Sequence, residues 1–251
     1  MGSDNKNDVQ ENAIQTTFNL PCCRHTKHTA MYNVVLHGVV FMILFAAFQT
    51  AAEYAEPVLA DLNQANLGFE SSAVVYATLA IGSFFAPVVV MALEPKWSMF
   101  AASLTYLLYL VALIWPSKTW ILVVSGLLGF GGSVLWTAQG VFLCRNSDDN
   151  TRGTHSGIFW SLLQCRFLIG NAVAYINLSD SDASVINAAR AKSFFSALLL
   201  LGTCGVCLLP FLRPSANDPK QVAASSPCDI LKGMIKVLQT HHMTSPQLSQ
   251  P

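Results

Sequence analysis

Three sets of polar side chains stand inside long apolar runs, at spacings that place each set on one helix face. Gln49 and Glu53 are four residues apart, Trp136 and Gln139 are three apart, and Trp160, Gln164 and Asn171 fall at i, i+4 and i+11. Hydrocarbon offers such groups no water, so they turn toward the interior of a helix bundle or toward a cavity. There the amides hydrogen-bond either a solute or a neighbouring helix. Gln139 and Gln164 are expected to face a central cavity, the competing reading being interhelical hydrogen bonds worth about 0.6 kcal/mol each. Glu53 would add proton or cation chemistry. Its competing reading, shared with Gln49 and Glu56, is a solvated helix end, because the segment carrying Glu53, Glu56, Asp61 and Glu70 is acidic throughout.

Other chemistry-bearing residues read more simply. His37, one turn into the first apolar run, reads as a packed residue rather than a proton relay. Cys204 and Cys207 form a C-x-x-C without a neighbouring His or acidic ligand, so core packing is expected there rather than metal or redox chemistry. Arg166 lies near the middle of its run, roughly 200° around the helix from Gln164 at 100° per residue. It is expected off that polar face, with no mid-depth carboxylate to meet it. Snorkelling, a carbonyl and a second chain all stay open for it. The sequence shows no nucleophile with its base, no phosphate loop and no metal-ligand spacing, so neither an enzyme, a metal nor a cofactor is expected.

The elements that must position these residues follow from composition. The 251 residues are 53% hydrophobic and 11% charged, against roughly 25% charged in an ordinary soluble domain. Formal net charge is zero and no basic patch stands out, which sets aside a nucleic-acid partner. The seven cysteines are odd in number and mostly sit in or beside apolar runs, unlike a disulfide scaffold. An apolar stretch of about 20 residues crosses the hydrocarbon core as a helix, since each backbone polar group must be satisfied within it. Six stretches meet that description: 34–54, 72–93, 97–115, 120–144, 155–175 and 193–212. The expectation is an all-α membrane protein of six transmembrane helices in residues 34–212, between an N-terminal segment, 1–33, and a tail, 213–251. The first run lies too far from the start, and is too long, for a removable signal peptide.

Charge orients the bundle. With the N-terminus inside, the inner segments hold ten basic residues (Lys6, Arg24, Lys27, Lys96, Arg145, Arg152, Arg213, Lys220, Lys232 and Lys236) and the outer ones hold three (Lys118, Arg190 and Lys192). Both termini are therefore expected in the cytoplasm. Asn177-Leu178-Ser179 is a sequon on the outer side, where glycosylation competes with a plain helix end. Cys22 and Cys23, beside Arg24 and ahead of the first span, are candidate palmitoylation sites. In the tail, Ile230, Leu231, Met234, Ile235 and Leu238 recur at helical spacing around Lys232 and Lys236, as in a short basic amphipathic helix lying on the inner leaflet or against the bundle. Gly129, Gly132 and Gly140 give the fourth run a small-residue face suited to close helix packing.

Three blocks carry a family resemblance. They are Phe41-Met42-Ile43-Leu44-Phe45-Ala46-Ala47-Phe48-Gln49-Thr50, then Leu135-Trp136-Thr137-Ala138-Gln139-Gly140, then Arg152-Gly153-Thr154-His155-Ser156-Gly157-Ile158-Phe159-Trp160 with Leu163-Gln164. They resemble the uncoordinated-93-like, or ion-channel regulatory, branch of the major facilitator superfamily, with the similarity running from about Tyr32 to Leu212. The resemblance implies a twelve-span fold of two halves, each made of two inverted three-helix repeats, of which this sequence supplies the N-terminal half as a truncated isoform. It implies a non-catalytic accessory of another membrane protein, a channel or a receptor, packed laterally through faces such as that of the fourth run. The alternative is solute transport through a cavity lined by Gln49, Gln139 and Gln164, which requires self-association or pairing with a second half. Where many facilitators carry a Gly-x-x-x-Asp-Arg-x-Gly gating loop, this sequence has only Glu94-Pro95-Lys96.

Overall fold

The computed structural model describes residues 21–61, 66–178 and 188–213, and all of its described structure is helical. The expected amphipathic tail helix and most of the N-terminal segment lie outside the described residues. Span one is α1, Pro21–Asp61, which begins well before the apolar run. Span two is two helices, α2 (Leu67–Gly82) and α3 (Ala86–Leu93). Spans three and four are α4 (Pro95–Ile114) and α5 (Lys118–Arg145). Span five comprises α6 (Arg152–Gln164) and α7 (Arg166–Leu178). Span six is α8, Ala188–Leu208, closed by a 3-10 turn, Leu209–Phe211. Five of these units are long and apolar enough to cross a membrane, and a sixth is added if the bent pair of span two crosses as one.

That bend corrects the expectation of a continuous helix over 72–93. α2 and α3 meet at 70°. Pro87 occupies the first turn of α3; it has no N–H to give and its ring collides with the carbonyl four residues back, so the ladder from α2 cannot run through. Ser83 Oγ also turns back to the Leu79 carbonyl at 2.8 Å. Span five breaks differently. Cys165 N–H donates to the Leu162 carbonyl at 3.1 Å, a 3-10 contact, while Arg166 Nη1 reaches back to the Leu163 carbonyl at 3.4 Å. A side chain competing for a ladder carbonyl loosens the helix at that point.

Span one packs along spans five and six, span four packs along spans two and three, and spans three and six meet each other. The core between them is rich in Phe: Phe41, Phe159, Phe194 and Phe195 are fully buried with Leu44, Leu110 and Leu128. Close approach is set by glycine at several points. A Cβ on Gly129 would overlap the Val75 carbonyl and the Thr78 hydroxyl of α2, and one on Gly170 would overlap the Thr50 hydroxyl of α1. Small residues let helix backbones approach this closely where lipid gives no hydrophobic drive for association.

At the end where span six finishes, side chains join four spans. Asn33 Nδ2 donates to Asn146 Oδ1 at 2.8 Å and to the Arg213 carbonyl at 3.0 Å, and Asn146 Nδ2 donates to the Phe142 carbonyl at 2.9 Å. Lys96 Nζ donates to the Pro210 and Leu212 carbonyls at 2.7 and 2.8 Å. The last carbonyls of a helix have no partner within it, so these donors complete span six. At the opposite end, Glu56 Oε2 accepts the Phe69 N–H at 3.1 Å and Lys118 pairs with Glu70 at 2.9 Å.

Candidate functional site

The polar residues of spans one, four and five divide into an inner set and an outer face. Trp136 on α5 is half-buried against Phe41 and Phe45, with ring centroids 5.9 and 5.1 Å away. Its outer side carries Trp160 of α6, stacked at 6.0 Å and 14° from parallel, and Trp160 is 50% exposed. One turn beyond Trp136, Gln139 is only 7% exposed and lies inside the helix unit. One turn beyond Trp160, Gln164 is exposed. The two amides expected to share a cavity are thus on different layers, one inside and one on the open side.

Gln164 and Arg166 do meet, which corrects the helical-wheel separation of 200°. Arg166 Nη1 donates to Gln164 Oε1 at 2.6 Å. The wheel presumes an unbroken helix and a short side chain; the break at Cys165 and the length of the arginine defeat both assumptions. The guanidinium lies over the Phe167 ring at 4.3 Å, and its Nε is buried with no partner. On span one, the Glu53 carboxylate accepts from Gln49 Nε2 at 3.2 Å. No direct Arg166–Glu53 ion pair forms within 4.0 Å. Asn171, on α7 beyond Arg166, is exposed as well. Gln49 with Glu53 on span one and Gln164 with Arg166 on span five are thus two hydrogen-bonded polar pairs, and Asn171 is a further exposed amide on span five.

The glycines of span four behave differently from one another. Gly129 is spent on α2, and a Cβ on Gly132 would lie 3.1 Å from the Tyr106 hydroxyl of α4 and 3.4 Å from Leu79. This part of the face is filled from within the chain, which removes it as a surface for a separate protein. At Gly140 a Cβ would meet nothing within 4 Å, so none of the described helices packs closely there.

Other expectations also shift. Cys204 and Cys207 are exposed rather than packed in the core. Asn177 Nδ2 donates to the Val173 carbonyl at 2.9 Å within its own helix, and Ser179 of the sequon lies outside the described residues. Cys22 and Cys23 fall in the first turn of α1. No group of three or more His, Cys, Asp or Glu that could hold a metal occurs among the described residues. A buried Ser147 Oγ meets His155 Nδ1 at 2.9 Å, yet the same hydroxyl is engaged with the Leu143 carbonyl at 2.8 Å, and the pair closes the turn between α5 and α6.

Two features had only a faint signal in the sequence. His37 is fully buried with both ring nitrogens unpartnered, inside a box of Phe41, Phe142 and Phe159 at 4.7, 5.1 and 4.9 Å. The i, i+4 spacing of His37 and Phe41 was visible; the other two walls come from spans four and five. Lys96 and Arg213 read as topology charges, with nothing to mark their convergence on one end of span six.

Comparison with known proteins gives these features a family. The model of the ion channel regulatory protein UNC-93 family matches residues 61–246. The UNC93-like protein MFSD11 of Xenopus tropicalis is 36% identical over 200 residues, covering 76% of this chain and 43% of the relative. UNC93-like protein 3 of Arabidopsis thaliana is 24% identical over 80% of this chain and 44% of its own length. The putative potassium channel regulatory protein unc-93 of Caenorhabditis elegans is 28% identical over 62% of this chain and 23% of its own. The chain thus spans less than half the length of these relatives. With the family match running through most of its length and the apolar helices to go with it, this multi-pass membrane protein belongs to the UNC-93 ion channel regulatory protein family.

Proposed function

We propose that the chain forms a six-span facilitator-type half, built of two inverted three-span repeats over residues 34–212, and serves as a non-catalytic accessory that alters the activity or trafficking of a channel or receptor. The packing supports the repeats: span one against five and six has its counterpart in span four against two and three, with spans three and six in contact. Spans two and five, which would correspond, are also the two broken spans. The ten-to-three distribution of basic residues supports cytoplasmic termini. On that orientation Asn177 faces the outer compartment for glycosylation and Cys22 and Cys23 the inner one for palmitoylation; a glycosidase-sensitive mass shift lost in Asn177→Gln tests the first.

The observation that carries the accessory role is the exposure of span five. Only 22% of its apolar window is buried, against 61% in spans one and four, and its open side presents Trp160, Gln164 and Asn171 with Arg166 beside them. Lipid tails offer these groups no hydrogen bonds, and a mid-span arginine costs about 2.5–3.5 kcal/mol on insertion scales. A second membrane protein supplies the missing partners, and one family relative is itself named a putative potassium channel regulator. The test places a photo-crosslinking residue at Gln164, Asn171 or Leu104 in cells co-expressing a potassium channel. Adducts with the channel from 164 and 171, none from 104, and a changed potassium current are expected; channel adducts no more frequent at 164 and 171 than at 104 defeat the reading.

A second reading, solute translocation, is favoured by one observation: Glu53 and Arg166 are opposite charges without direct contact, flanked by Gln49 and Gln164. It requires a second half, supplied by self-association or by another chain. Uptake into proteoliposomes by an assembled dimer, abolished in Arg166→Gln, supports it, and absence of flux across a broad solute panel removes it.

A further inference from the structure

One cation is fixed to the end of span six and a second is carried by the next residue of the chain. Lys96 Nζ donates to the Leu212 carbonyl at 2.8 Å and to the Pro210 carbonyl at 2.7 Å. The residue after Leu212 is Arg213, whose backbone is fixed by Asn33: its N–H donates to Oδ1 at 3.0 Å and its carbonyl accepts from Nδ2 at 3.0 Å. Its side chain plays no part in that clamp. The guanidinium lies over the Tyr32 ring at 4.7 Å, much as the Lys96 ammonium lies over Trp97 at 5.5 Å.

Neither cation has a carboxylate within ion-pair distance among the described residues. Glu94, next but one to Lys96, is exposed and makes no ion pair with it. An ammonium has three N–H bonds, of which Lys96 spends two on carbonyls, and a guanidinium has five in a planar fork suited to phosphate oxygens. Tyr and Trp rings favour headgroup depth, so both cations stand where lipid phosphates lie. Apolar stripes start from the same place. Trp97 and Leu104 are exposed on span three, Leu200 and Phe211 are exposed on span six, and these two spans pack together.

We propose that Lys96 and Arg213 bind the phosphate of an anionic phospholipid whose acyl chains follow the exposed faces of spans three and six. The headgroup then braces the start of span three against the end of span six. This site is independent of the accessory role, since it takes from span one only Tyr32 and Asn33, at the other end of that helix from Glu53, and takes nothing from span five.

The test uses the full chain purified in a neutral detergent and titrated with dioctanoyl phosphatidic acid, dioctanoyl phosphatidylcholine or inorganic phosphate, read by thermal unfolding and native mass spectrometry. Saturable binding of phosphatidic acid with a rise in Tm is expected, with no rise for phosphatidylcholine. Arg213→Gln, which leaves the Asn33 clamp on the backbone intact, is expected to weaken binding about tenfold or more, the loss of one charge-assisted contact. Lys118→Gln at the opposite end is expected to bind as the parent does. Equal affinity for phosphatidylcholine, undiminished binding by Arg213→Gln, or equal loss in Lys118→Gln each overturns the site. The same rise in Tm from inorganic phosphate alone shows a site for the free anion and overturns the lipid assignment.

Discussion

Trp136 and Trp160 stack 6.0 Å apart and 14° from parallel, joining spans four and five through two rings that are 24 residues apart in the chain. Behind Trp136 stand Phe41 and Phe45 of span one, and beside Trp160 stands Phe159 at 5.6 Å. The pair therefore closes an aromatic column that runs from the interior to the open face where Gln164 and Arg166 lie.

Removing the outer ring should loosen this contact without emptying the core. Trp160→Ala is expected to cost about 0.5–1.5 kcal/mol beyond the area lost, read as a lowered Tm, and to change the fluorescence of Trp136. A Tm drop as large as that of Phe159→Ala, a fully buried ring, contradicts the assignment of Trp160 to the surface.

Gly129 and Gly140 should respond in opposite ways to an added methyl. Gly129→Ala drives a Cβ into the Val75 carbonyl, a backbone atom that cannot swing aside, and is expected to cost about 1–3 kcal/mol as an overpacked contact. Gly140→Ala meets open space and is expected to be neutral or stabilising by a few tenths to about 1 kcal/mol, through helix propensity. Thermal unfolding of the two variants side by side checks this, and equal losses would show that the spacing of small residues, rather than contact with α2, sets their effect.

Asn33 should govern how well the end of span six is held. Asn33→Ala removes the acceptor of the Arg213 N–H and leaves Asn146 Oδ1 without its donor; leaving a buried polar group unpaired costs about 1–3 kcal/mol. The expected signature is faster hydrogen exchange at the Arg213 amide, with exchange in span two unchanged. Unaltered exchange at Arg213 would mean that Lys96 alone secures this end.

His37 offers the reverse case. Its imidazole is buried with both nitrogens unpartnered among Phe rings, so its polar atoms are desolvated without return. His37→Leu is expected to keep or raise Tm. A clear fall in Tm would show that the box depends on the imidazole itself.

Much of the fold was legible in the chain. The apolar runs sit where the long apolar helices lie, because transfer of a segment into hydrocarbon depends mainly on that segment's own side chains and on its backbone closing its own hydrogen bonds. The 70° bend before Pro87 was not read, because hydropathy averages across it. The candidate site was legible only in its parts. Trp136 and Trp160 were both visible, and their stacking was not. Gln139 and Gln164 looked equivalent, yet the rotation of spans four and five places one inside and one on the open face.

By itself, then, the sequence determined the class of protein, the family and the approximate positions of the apolar helices, all of which are properties of contiguous segments. Only the tertiary structure decided that Gly129 is used up on α2, that Arg166 reaches Gln164, and that Lys96 caps the Leu212 carbonyl next to Arg213 at the end of span six. Those outcomes depend on helix rotation, depth and breaks, which are set by packing between residues as far apart as Asn33 and Arg213, and no local periodicity encodes them.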